Sequence, residues 1–89
     1  MKVYVIVIND VDIDEGEANA CAFKQAFVDE QSAFEKMKRV CEEDFQRAIN
    51  NGCTNACIDV DDANMTRTLF YDEKELGQYS NYCVQTLEV

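Results

Sequence analysis

Between Asp29 and Gly52 the apolar residues Phe34, Met37, Cys41, Phe45 and Ala48 recur at steps of three and four. That spacing puts them on one stripe of a helix, which Ala33, Val40 and Ile49 widen. Asp29 stands at an N-cap position with Glu30 in the first turn, and Asn51-Gly52 supplies the stop. Ser32-x-x-Glu35 forms a second capping box one turn on, so either start is open. On the polar face, Glu35 with Arg39 and Glu43 with Arg47 stand at the favourable four-residue offset for ion pairs.

Elsewhere the period falls to two. Val3 to Ile8 is apolar at both parities, the pattern of a central strand covered on both sides or of a dimer contact. Asn9 to Glu17 then alternates acids with Val11 and Ile13, a parity that fits one long strand or a strand running into an extended hairpin, with Gly16 as the turn residue. Ala18 to Val28 reads as the return strand, with Cys21, Phe23 and Phe27 on one parity and mostly alanine on the other. Beyond the helix, Cys53 to Val60 and Met65 to Tyr71 form a strand pair about the turn Asp61-Asp-Ala-Asn64. Asp72 to Asn81 is polar and reads as a loop, with room for one helical turn at Glu73 to Leu76, and Tyr82 to Val89 closes the chain as a strand. The expected fold is a single α+β domain over residues 1–89, in the order β-β-α-β-β-β. An antiparallel or mixed sheet of about five strands would carry the amphipathic helix on one face. The other face would be partly apolar.

Eighty-nine residues build one modest core, burying somewhat over ~60% of the surface that the unfolded chain exposes, with little room for a deep substrate cavity. No proline, three glycines and 47% apolar residues describe a folded chain rather than a disordered one. The five cysteines are an odd number, and Met1-Lys2 leads straight into a strand, so no signal peptide is expected. Buried free thiols in a reducing cytoplasm fit that pattern. No apolar run approaches the ~20 residues of a membrane span.

The net charge of −10 disfavours DNA, RNA or an anionic membrane as partner and favours a basic protein surface. Its distribution says more. Residues 31–52 balance four acids against four bases, whereas residues 1–30 and 53–89 each carry seven acids against two bases. The surplus gathers in three segments: Asp10, Asp12, Asp14, Glu15 and Glu17; Asp59, Asp61 and Asp62; and Asp72, Glu73 and Glu75. Acidic loops ordinarily serve solubility alone. Gathered along one sheet edge, they would form a carboxylate array able to occupy a Lys/Arg-lined nucleic-acid channel.

Catalytic chemistry finds little support. Asp10-x-Asp12-x-Asp14 opens like a calcium loop, but its sixth and twelfth positions are Glu15 and Cys21 rather than Gly and Glu. That excludes an EF-hand and leaves at most loose, millimolar-range divalent binding. Cys53-x3-Cys57 lacks the spacing of a zinc knuckle or redox motif, and the chain contains no histidine. If the segment is a strand, both cysteines share one face as core packing. Without histidine the usual general base and the partner of a nucleophile are missing, and no Gly-rich phosphate loop exists. The expectation is a protein with no catalytic residues, no cofactor and no metal.

The opening Met1-Lys-Val-Tyr-Val-Ile-Val-Ile8, the acidic hairpin, and the helix entered through Phe27-Val-Asp-Glu30 resemble many small phage and mobile-element proteins. In size, acidity and lack of catalytic residues the chain resembles the inhibitors that phages aim at host defence, of the anti-CRISPR and anti-restriction type. The resemblance implies stoichiometric binding to a nuclease or its guide complex, a CRISPR effector foremost, in the host cytoplasm. These inhibitors share no sequence signature, so it carries no residue assignments. The three acidic segments would be the contacts, with residues 10–17 leading. A contrasting expectation is an assembly module that forms a homodimer through Val3, Tyr4, Val5 or Ile6. A third is inhibition by an apolar or allosteric contact, with Tyr79 and Met65 as anchors.

Overall fold

The computed structural model describes residues 1–75 and 77–89. Six elements follow in chain order: β1 (Lys2–Asp12), β2 (Glu17–Phe27), α1 (Glu30–Asn50), β3 (Cys57–Asp61), β4 (Thr66–Phe70) and β5 (Gln78–Glu88). The strands form one antiparallel sheet in the order β2-β1-β5-β4-β3, so the fold is α+β with the expected β-β-α-β-β-β succession. β1 and β5 pair without interruption from Lys2↔Glu88 to Asp12↔Gln78 and form the centre of the sheet. β2 pairs with the other side of β1 through a tight hairpin, breaking register between Val5 and Val7.

Parity along β1 decides which side of the sheet each residue faces. Ile6 and Ile8 face the helix, together with their β5 partners Val84 and Tyr82, and with Leu69 of β4. Phe34, Met37, Val40 and Cys41 of α1 close over them, leaving Ile6, Met37, Leu69 and Tyr82 with no exposed surface. The helix starts where the first capping signal stands. Asp29 Oδ2 accepts from both the Ser32 backbone N–H (2.9 Å) and its hydroxyl (2.8 Å), so the cap is Asp29 rather than Ser32.

The odd residues of β1, Val3 to Val11, face away from the helix. So do their β5 partners Leu87, Gln85, Cys83, Asn81 and Tyr79, and Thr68 and Phe70 of β4 beyond them. Ala18, Ala20, Ala22 and Ala26 of β2 continue this face on the other side of β1. Among the described residues no secondary-structure element covers it. The doubly apolar pattern of Val3 to Ile8 therefore reflects a central strand with one face packed under the helix and one face open. Of the residues named for a dimer contact, Val3 and Val5 lie on the open face. Ile6 is core, and Tyr4 shares its side of the sheet.

Other expectations shift. β3 starts at Cys57 rather than Cys53, because the Cys53 N–H caps the helix by donating to the Ala48 carbonyl (2.9 Å). The two cysteines therefore do not share a strand face. Gln78 to Asn81, read as loop, is the start of β5. Asp72 to Glu75 contains no helix, and the rest of the turn expected at Glu73 to Leu76 lies outside the described residues. The helix ion pairs form one step closer than expected, Lys38 with Glu35 (3.0 Å) and Arg47 with Asp44 (2.9 Å), not Glu35–Arg39 and Glu43–Arg47. All five thiols are free, but only Cys41 is buried and Cys21 is exposed, because β2 is an edge strand.

Leu69 and Met37 are both fully buried in the helix–sheet core, so truncation of either leaves a cavity there. Leu69→Ala and Met37→Ala are each expected to cost about 2–5 kcal/mol of unfolding free energy, measured by urea denaturation followed by circular dichroism.

Candidate functional site

Strand direction places one end of every element together. β1 finishes at Asp12 where β5 begins at Gln78, Phe70 at the end of β4 pairs with Tyr79, and β3 begins opposite Phe70 at Cys57. The β1–β2 hairpin and the Tyr71–Gly77 segment are thereby neighbours. The Ile13 N–H donates to the Gly77 carbonyl (2.6 Å), and a Cβ on Gly77 would run into the Asp14 carboxylate. The chain leaving the helix reaches the same end, where the Glu73 N–H donates to the Asn55 carbonyl (2.9 Å).

Two adjoining clefts that share Tyr71 and Gln78 open there, beside a third that is lined by Asp10, Asp44, Arg47 and Tyr71. One, of about 330 Å³, is lined by Asp14, Asp72 and Glu75 together with Gly52 to Asn55. The other, of about 260 Å³, is lined by Asp10, Asp12 and Glu17. Neither is lined by Lys or Arg. The helix C-terminus reaches this end through Gly52 and Cys53 and adds the negative pole of its dipole, which Arg47 in the last turn partly offsets.

Within the hairpin the acids divide by role. Asp12 accepts from the Glu15 N–H (3.1 Å) and from Gln78 Nε2 (2.9 Å), which fixes the turn against β5. Asp10 accepts from the Ser80 hydroxyl, which in turn lies 2.6 Å from the Tyr71 hydroxyl. Asp14, Glu15 and Glu17 make no side-chain hydrogen bond or ion pair among the described residues and are exposed. Ser80, Tyr71 and Gln78 are therefore the residues that orient the acidic end. The linear pattern did not single them out. Ser80 in particular lay within a polar run, and only the register Asp10↔Ser80 reveals why it is buried.

The third acidic segment is elsewhere. Asp61 pairs with Thr66 at the far end of the short β3–β4 hairpin, on the opposite edge strand from β2. Its carboxylate accepts from the Asn64 backbone N–H (3.2 Å) and from Asn64 Nδ2 (2.8 Å), closing the turn. Asp62 is paired with Arg67 (2.9 Å), whose guanidinium also lies over the Phe34 ring. The structure thus unites residues 10–17 with Asp72 and Glu75, and separates Asp59, Asp61 and Asp62 from them. The proposed apolar anchors also part: Tyr79 lies within β5 on the open face against Phe70, and Met65 packs on the core from a left-handed turn position (φ 53°).

Beneath the helix, burial raises the pKa of the Tyr82 phenol, and its hydrogen bond to Asp44 (2.7 Å) raises it further by placing a carboxylate beside it. Burial likewise raises Tyr71 and takes the Cys41 thiol to about 11, far from any nucleophilic state at neutral pH. Among the described residues no group of three or more His, Cys, Asp or Glu side chains is gathered closely enough to hold a metal ion. The acids are spread along an end rather than converged on a point. Among the described residues no helix is long and apolar enough to cross a membrane. Comparison with protein-family models, curated proteins and solved structures finds no match to this chain.

Hydrogen bonds from Gln78 and then the Glu15 N–H hold the Asp12 carboxyl below its ordinary pKa. A depressed folded-state value stabilises the fold above the unfolded pKa, and that contribution is lost as pH falls through the folded value. Gln78→Ala is expected to raise the Asp12 pKa towards the ordinary value. Asp29, held low by Ser32, should remain where it is. Carboxyl-detected NMR titration of both residues checks this.

Proposed function

We propose that the chain is a small acidic binding protein that occupies the basic, nucleic-acid-binding surface of a host nucleic-acid-handling protein and inhibits it without catalysis. The observation that carries this reading is the pair of adjoining clefts whose carboxylates, Asp10, Asp12, Asp14, Glu17, Asp72 and Glu75, meet no Lys or Arg in the lining. Carboxylates spread over an exposed end present several separate negative charges, as a phosphate backbone does, and suit a Lys/Arg-lined channel better than a point ligand. Rigid support for Asp10 and Asp12 from Ser80 and Gln78 keeps part of that array ordered before binding, which lowers its entropic cost. A CRISPR effector is the target class that the resemblance to phage inhibitors implies. Glu15 and Glu73 are the further contacts flanking the clefts. Asp61 and Asp62 serve their own turn and the Arg67 pair instead, and with Asp59 lie outside the surface.

The test is binding of the purified chain to guide-loaded CRISPR effectors, with a target-DNA fragment as competitor and salt as a variable. Binding should be displaced by DNA and weaken steeply with salt. Neutralising Asp10, Asp12, Asp14, Glu15 and Glu17 to their amides should weaken it by about tenfold or more. Neutralising Asp59, Asp61 and Asp62 should leave binding to the effector unchanged. Full-strength binding by the first variant would overturn the proposal.

A further inference from the structure

The open face of the sheet is chemically unlike the rest of the molecule. Charged residues make up 29% of the chain, yet the positions of β1, β5 and β4 that face away from the helix are all neutral. Charge stands on its two edge strands: Asp59 and Asp61 of β3, where Asp59 pairs with Thr68, and Lys24 of β2, between Ala22 and Ala26. Burying the β1, β5 and β4 part of this face desolvates no carboxylate. Of the amides on it, Asn9, Asn81 and Gln85, Asn81 already donates to Thr68 Oγ1 (3.1 Å) within its own sheet.

We infer that this face is the contact between two copies of the chain, packed sheet on sheet. Three observations point to a second copy rather than another occupant. The first is charge: two molecules of net charge −10 repel wherever their acids approach, and this face minimises that repulsion. A basic partner would instead be drawn to the acidic end. The second is area. Leaving β3 aside, three eleven-residue strands and the five-residue β4, about 4.8 Å apart and rising about 3.3 Å per residue, span roughly 600 Å². Two copies would therefore bury roughly 1,200 Å², at the lower end of the ~1,200–2,000 Å² of stable specific interfaces. The third is relief. The alanines of β2 form a low trough beside the valines of β1, while Leu87 and Tyr79 of β5 stand on the other side. High and low columns on one face are what a two-fold, self-complementary contact needs to interdigitate at the ~10 Å spacing of packed sheets.

The inference stands independently of the proposed target. It is tested on the full chain by sedimentation equilibrium from micromolar to high micromolar concentration at low and high salt. A dimer that tightens as salt screens the like charges is expected. The double variant Val5→Thr/Val7→Thr keeps the β-branched shape and strand preference of both residues while removing apolar surface, and should weaken the dimer by about tenfold or more. Alkylation of the unaltered protein gives a readout that no folding defect can confuse. The Cys83 thiol, on the open face, should react more slowly as concentration rises, whereas Cys21, exposed on the other side of β2, should keep its rate. A monomer at high concentration overturns the inference. So does a dimer in which Cys83 reacts at its dilute rate, since that places the contact elsewhere, such as the free edge of β2.

Discussion

One helix cannot cover a five-stranded sheet, and the rest of the structure follows from that mismatch. An α-helix with its side chains is about 10 Å across, whereas five strands about 4.8 Å apart make a layer roughly twice as wide, with two faces. Helix α1 seals the middle of one face, over Ile6, Leu69 and Tyr82. What it leaves unsealed is the far face and the end of the sheet beyond its own C-terminus. The two surfaces carry opposite chemistry, neutral over β1, β5 and β4 on the face and acidic at the end.

That division is written in the parity of β1. From Val3 to Val11 its odd positions are apolar apart from Asn9, and its even positions change from Ile6 and Ile8 to Asp10 and Asp12. The change comes where the strand passes from beneath the helix into the acidic end. Because β5 pairs with β1 along its whole length, the same change must occur on its side, and Val84 and Tyr82 give way to Ser80 and Gln78. The hydrogen bonds Ser80–Asp10 and Gln78–Asp12 are thus the polar continuation of the Val84–Ile6 and Tyr82–Ile8 contacts.

The helix, the hairpin and the succession of elements were legible in the sequence because each rests on local periodicity. Asp29, the Phe34–Ala48 stripe and Gly16 announce their roles within a few residues of themselves. Strand starts that depend on a distant partner were not legible. Gln78 to Asn81 is polar enough to pass for a loop, and becomes a strand only because Asp10 to Asp12 lies alongside it. The acidic surface was half legible for the same reason. Clustering in sequence identified all three segments, but whether they meet depends on strand direction, and the β3–β4 hairpin turns its tip, Asp61 to Asn64, away from the end occupied by the other two. The ion pairs of Asp62 and Arg67, and of Asp44 and Arg47, likewise depend on side-chain geometry that the four-residue rule does not capture.

The two surfaces are compatible within one assembly. Sheet-on-sheet packing through the open face would turn both helices outward, and with them Asp10 and Asp12, which lie on the helix side of their strand. Each acidic end would stay accessible, so the dimer would carry two binding surfaces without hiding either. Edge-to-edge pairing through β2 would instead bring Asn19, and with it the neighbouring Glu17, close to the symmetry-related hairpin, adding repulsion where the negative charge is already densest. Keeping Asp10 and Asp12 on the helix side while leaving the centre of the open face neutral therefore favours face packing over edge pairing, whatever basic surface the acids meet.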